Sequence, residues 1–70
     1  MKNMYFYHKM YGNCKIIGFY RRIALIELKN NFERFLVADG FSIKSTKWDR
    51  GYYFKDFEDA ISAYKLLAFD

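Results

Sequence analysis

The chain has no proline, one cysteine (Cys14) and one histidine (His8) among its 70 residues. Without proline, every backbone N–H is free to join a ladder, which suits a β-rich chain. A lone cysteine excludes an intramolecular disulfide, and no Cys/His cluster points to a structural zinc. His8 has no nucleophile or orienting carboxylate near it in sequence, so it reads as an exposed strand histidine and not as a general base. Cys14 lies beside a turn and not at a helix N-terminus, the pattern of an inert thiol in the core. No stretch approaches 18 uncharged apolar residues, so no membrane-spanning helix is expected. Residues 1–13 carry tyrosines and lysines where a secretory signal has an unbroken apolar run. With a free thiol and no targeting segment, a cytoplasmic location is expected. Linkers, repeats and low-complexity runs are missing too, so residues 1–70 are expected to form a single domain.

Aromatic residues are abundant instead: eight phenylalanines, seven tyrosines and one tryptophan. A core of this size supplies roughly 3–5 kcal/mol. Each buried ring removes about 150–250 Å² from water, which offers a short chain a route to stability without staples. Charge is uneven. Residues 1–34 hold seven Lys/Arg against Glu27 and Glu33, net +5, while residues 35–70 hold five against six acids, net −1. A basic half steers toward nucleic acid or an acidic protein face, although +4 overall is also ordinary solvation for a small domain.

Turn chemistry and periodicity predict an α+β fold: a strongly curved antiparallel sheet of four to five strands packed against one C-terminal helix at about 56–68. Gly12-Asn13 fits a two-residue type II′ turn between strands 4–11 and 14–20, setting Phe6 opposite Phe19 and Tyr5 opposite Tyr20. Asn30-Asn31 fits a turn between strands 22–29 and 32–39, setting Glu27 opposite Arg34, Ile26 opposite Phe35 and Ala24 opposite Val37. No turn signal separates Tyr20 from Arg22, so residues 14–29 read as one long strand that bends at Gly18 or at Arg21-Arg22. After the Asp39-Gly40 turn signal, a strand is expected at 42–48. A turn Asp49-Arg50-Gly51 follows, with Gly51 left-handed, and strand 52–54, so that Trp48 faces Tyr52. From Asp56 the period becomes helical: Phe57, Ala60, Ile61, Tyr64, Leu67 and Ala68 form one apolar face. Asp56, Glu58 and Asp59 sit where capping and the helix dipole favour carboxylates; that explains them better than calcium, which asks for 6–8 oxygens from a loop. No cofactor or metal is expected.

The basic and aromatic residues around the 48–54 segment are the candidate site: Lys47, Trp48, Arg50, Tyr52 and Tyr53, joined by Tyr20, Arg21 and Arg22. As a partner-binding surface they have the composition of an interface hot spot, rich in Trp, Tyr and Arg. The same mixture, with Lys44, Lys55, Tyr5, Tyr7 and Lys9, could stack single-stranded nucleic acid, although no RRM, KH or cold-shock motif accompanies it. Strand 22–29 carries Ile23 and Leu25 on one face and Ala24, Ile26 and Leu28 on the other. A single helix covers one side, so an apolar patch is expected on the other, the mark of a contact surface or a homo-oligomer.

The run Trp48-Asp49-Arg50-Gly51-Tyr52-Tyr53-Phe54, followed by Phe57-Glu58-Asp59-Ala60, resembles a strand-to-helix junction found in small bacteriophage and mobile-element proteins. It covers about 15 of the 70 residues. That class includes inhibitors of host defence, anti-CRISPR proteins among them. The resemblance implies a non-enzymatic protein that binds and blocks a host enzyme or nucleoprotein complex in the host cytoplasm. This chain departs from the DNA-mimicking members, which are acidic. A small basic single-stranded nucleic-acid-binding module is the alternative.

Overall fold

Residues 4–69 are described by a computed structural model. Strands β1 (Met4–His8), β2 (Gly12–Tyr20), β3 (Ile23–Leu28), β4 (Phe35–Asp39) and β5 (Arg50–Phe54) precede one helix, α1 (Phe57–Phe69). The strands form one five-stranded antiparallel sheet in the order β1-β2-β3-β4-β5, and α1 packs on one face of it. This is the expected α+β architecture of a curved sheet with a C-terminal helix. No helix among the described residues is long and apolar enough to cross a membrane.

α1 begins where the Asp56 backbone carbonyl accepts the Ala60 N–H at 3.2 Å, with Glu58 and Asp59 in the first turn. Its buried stripe is narrower than the periodicity predicts. Ala60, Tyr64 and Ala68 are buried, whereas Phe57 and Leu67 stay largely exposed. The stripe rests on Ile23, Leu25 and Val37. Tyr64 lies so close to β2 that a Cβ at Gly18 would sit 3.1 Å from its hydroxyl oxygen.

The hairpins differ from their sequence expectations in register. The β1–β2 connection is the loop 9–11, not Gly12-Asn13: His8 pairs with Gly12, Phe6 with Cys14 and Tyr5 with Lys15. Gly12, at φ 75°, begins β2, and His8 Nδ1 accepts the Met10 N–H at 3.0 Å inside the loop. Phe19 and Tyr20 therefore lie beyond the paired part of β1.

Residues 14–29 are two strands, not one. Arg21 and Arg22 form the tight turn between β2 and β3, at φ 52° and 66°. Positive φ at both central residues is the type I′ signature, normally supplied by Asn-Gly. Long-range contacts hold it here. The Phe41 N–H donates to the Arg22 carbonyl at 2.8 Å, Arg21 lies over the Tyr20 ring, and Tyr20 stacks on Phe69 of α1 at 4.8 Å. The bend expected at Gly18 exists as a bulge between Ile16 and Gly18.

β3 and β4 pair one residue away from expectation, with Glu27 opposite Phe35, Ile26 opposite Leu36 and Ala24 opposite Ala38. A one-residue slip exchanges the faces. The observed register keeps Leu25 with Val37 on the helix side and Ile26 with Leu36 on the other. Asn30-Asn31 belong to a longer loop, 29–34, closed by the Leu28 N–H to the Arg34 carbonyl at 2.7 Å. Glu27 and Arg34 still meet, offset, at 3.1 Å.

Residues 42–48 are not a strand. They form turns with one isolated bridge, Ser42 to Lys47. Arg50 and Gly51 belong to β5, where they pair with Asp39 and Ala38, so neither the Asp49-Arg50-Gly51 turn nor a left-handed Gly51 is present.

The loop 40–49 also removes the apolar patch expected opposite the helix. Phe41 folds beneath the sheet and is buried together with Ala24, Ile26, Leu28, Leu36 and Ala38. Phe6, Phe19 and Trp48 contact its ring, with centroids 5.8, 6.1 and 6.3 Å away. The sheet thus curls around a second, aromatic core.

Candidate functional site

The second core opens to the surface as a cleft of about 360 Å³ lined by His8, Met10, Tyr11, Lys47, Trp48 and Tyr53. Strand alternation puts Phe6 and His8 on the inner face of β1, and the β1–β2 loop carries Met10 and Tyr11 over the mouth. Loop 40–49 brings Lys47 and Trp48 from the other side, and β5 contributes Tyr53.

Gly51 makes the placement of Trp48 possible. A Cβ at that position would lie 2.9 Å from Leu36 Cδ1 and 3.1 Å from the indole nitrogen. With hydrogen in its place, the indole lies against the β5 backbone. His8 stacks on Trp48 at 5.1 Å and lies 4.9 Å from the Tyr11 ring, so one imidazole joins the hairpin to the loop. His8 is half-buried here, not the exposed strand histidine of the sequence reading. Its Nδ1 accepts the Met10 N–H, which leaves Nε2 to carry the proton in the neutral ring. Tyr11 and Tyr53 share a hydrogen bond, Oη to Oη at 2.9 Å. Burial, helped by that bond to Tyr11, pushes the Tyr53 phenol up to about 12.

The cleft can therefore offer the Lys47 ammonium, the His8 Nε2–H and a spare phenol O–H, set among aromatic and thioether surface. That is the make-up of a recognition pocket: mostly apolar, with a few polar groups. Met10, 77% exposed, stands at its rim.

The eight sequence-predicted site residues separate into groups. Lys47, Trp48 and Tyr53 converge in the cleft. Tyr52 points the other way: it pairs with Val37 and packs under α1, so it does not face Trp48. Arg50 is exposed, and the Tyr52 hydroxyl, with Asp39, raises its guanidinium pKa further. Tyr20, Arg21 and Arg22 form the β2–β3 tip and stack toward the end of α1. His8, Met10 and Tyr11 are the cleft residues that the sequence reading missed.

Cys14 is fully buried in the aromatic core, and burial raises its pKa, as an inert thiol requires. No group of three or more His, Cys, Asp or Glu among the described residues is placed to hold a metal ion.

Compared with known proteins, the chain matches no family model, no curated protein and no solved structure.

Proposed function

We propose that this chain is a non-enzymatic protein-binding domain that acts by covering a surface of a larger partner, with the His8–Trp48 cleft as its contact centre. The observation that carries this reading is the cleft itself: a preformed aromatic recess with exposed Met10 and Lys47 at its rim. Interfaces concentrate binding energy in such recesses, where Trp and Tyr surfaces are desolvated by an inserted side chain. Following the resemblance of residues 48–60, the partner is a component of a bacterial defence system and the mode is inhibition by blockage.

The alternative, a small basic single-stranded nucleic-acid-binding module, draws on Lys47, Arg21 and Arg22. A stacking platform works through free ring faces. Here His8 already occupies a face of Trp48, and Tyr20 stacks on Phe69, which favours the protein reading.

Expression of the chain in bacteria carrying individual defence systems tests the proposal. Phage plating should recover in one of them, and Met10→Glu should lose that recovery while the fold is kept. Equal recovery with Met10→Glu would remove the cleft from the account, and no recovery in any system would remove the inhibitor reading.

A further inference from the structure

The side chains of the cleft share one property: each polar one has a hydrogen to give. Lys47 brings an ammonium, His8 its Nε2–H and Trp48 the indole N–H. The Tyr11–Tyr53 pair keeps one O–H beyond the bond that joins the two rings. Among the described residues, no carboxylate or amide side chain lines the cleft. Asp49, two residues after Lys47, is turned toward Gly40, where its carboxylate fills the space a Cβ would need. Glu33 acts on the Tyr53 phenol, but as the weakest influence on it. The single ion pair among the described residues joins Glu27 to Arg34, so Lys47 has no carboxylate partner there.

We propose that the cleft takes the carboxylate of a glutamate side chain from the partner, so that the face this chain covers is acidic. The inference rests on the protein-binding reading of the cleft and specifies what enters it. Covering the cleft strips water from Lys47, and an ammonium buried without a counter-charge is heavily penalised. A partner that docks there has to bring the charge this chain lacks. A carboxylate only accepts, and its two oxygens satisfy several donors at once. The two methylenes of glutamate suit the indole and thioether walls. The wider field has the matching sign. Lys9 follows His8 in the chain, Lys44 precedes Lys47, and the net charge of +4 draws an acidic face from a distance.

Phosphate is the less suited anion. Its sites gather arginine forks or clusters of backbone N–H groups. This cleft holds no arginine among its lining residues, and the Met10 N–H at its mouth is already given to His8. A nucleic-acid backbone asks further for a track of cations and free stacking faces, and His8 already covers a face of Trp48. One ammonium among neutral donors matches one carboxylate.

The test is an NMR titration of the isotope-labelled full chain with three end-blocked tripeptides, leucine–X–leucine, where X is glutamate, glutamine or phosphoserine. The indole N–H of Trp48, the only tryptophan, reports occupancy of the cleft. The glutamate peptide should shift that signal saturably, with a Kd of roughly 1 mM, as suits so few contacts. The glutamine peptide should bind about tenfold more weakly or worse, the loss that goes with a hydrogen bond to a charged group. Lys47→Met, which keeps the stem and removes the charge, should lose the glutamate response with unchanged circular dichroism. Equal binding of the glutamine peptide, tighter binding of the phosphoserine peptide, or no saturation by the glutamate peptide would each overturn the carboxylate. Phage recovery that survives Lys47→Met but not Met10→Glu would also overturn it, and would leave the proposed function standing. A glutamate peptide that seats in the cleft of a chain giving no phage recovery would do the reverse.

Discussion

Tyr11 and Tyr53, 42 residues apart in sequence, meet hydroxyl to hydroxyl at 2.9 Å across the mouth of the curled sheet. β1 and β5 are the two edges of that sheet and share no ladder, so this bond ties the first hairpin to the last strand. It is the clasp of the aromatic core.

Removing either hydroxyl should loosen the clasp. Tyr11→Phe and Tyr53→Phe are each expected to cost about 0.5–1.5 kcal/mol. The double variant should cost less than the sum, because both substitutions delete the same bond. Chemical denaturation of the four chains checks this, and strict additivity would contradict the clasp.

The same pair sets an alkaline limit. Tyr53 titrates near 12 in the fold, against about 10 for an ordinary phenol. A raised folded pKa favours the neutral form, so its stabilisation is complete below about pH 10 and is lost as pH rises toward about 12. Phenolate absorbance should show Tyr53 titrating late, alongside Tyr64, whose phenol burial also pushes up; in Tyr11→Phe the Tyr53 step alone should move earlier, though still late because burial remains. Thermal stability should fall across the same alkaline window.

At the β2–β3 tip, two arginines hold left-handed backbone that costs each of them roughly 1 kcal/mol or more. Replacing Arg21-Arg22 by Asn-Gly should therefore stabilise the fold by about 1–2 kcal/mol, since that pair suits a type I′ turn. For a chain of this length the melting temperature rises by roughly 4–8 °C per kcal/mol. An unchanged or lower melting temperature would mean that the Arg21–Tyr20–Phe69 stack outweighs the strain.

Gly51→Ala tests the seat of Trp48. The added methyl enters the space of the indole and of buried Leu36, an overpacking cost of about 1–3 kcal/mol. Emission from the single tryptophan should shift to the red as the ring is displaced toward water. No shift and no loss of stability would show that the indole does not rest on β5.

Much of this fold is legible in the sequence, and the misses share one cause. The helix is readable because Ala60, Tyr64 and Ala68 repeat at local spacing behind Asp56. The pairing of β3 with β4 is readable because both are apolar and lie close in the chain. The Arg21-Arg22 turn is not readable: arginine has no turn preference, and contacts with Phe41 and Phe69, far along the chain, impose the conformation. The inward fold of Phe41 is likewise long-range, and it turned an expected open patch into a core. The site was half visible. Lys47, Trp48 and Tyr53 stand in one aromatic, basic segment, while His8, Met10 and Tyr11 reach them only because the sheet curls. The alternation that puts Phe6 and His8 on one face of β1 was the available signal, but alternation does not say which strand arrives opposite.

Oligonucleotide binding separates the two functional readings. Fluorescence anisotropy with single-stranded DNA and RNA at low salt is expected to show no association. Binding that falls steeply with salt and is lost in Arg21→Ala and Arg22→Ala would instead favour the nucleic-acid module.

The most direct measurement is affinity capture from the bacterial host with three forms of the chain: wild type, Met10→Glu and Lys47→Glu. Both variants change exposed residues at the cleft rim and should fold as wild type. Wild type is expected to retain one defence component in stoichiometric amount, and both variants to lose it. Retention of the same protein by all three forms, or by none, would contradict a partner that docks at the His8–Trp48 cleft.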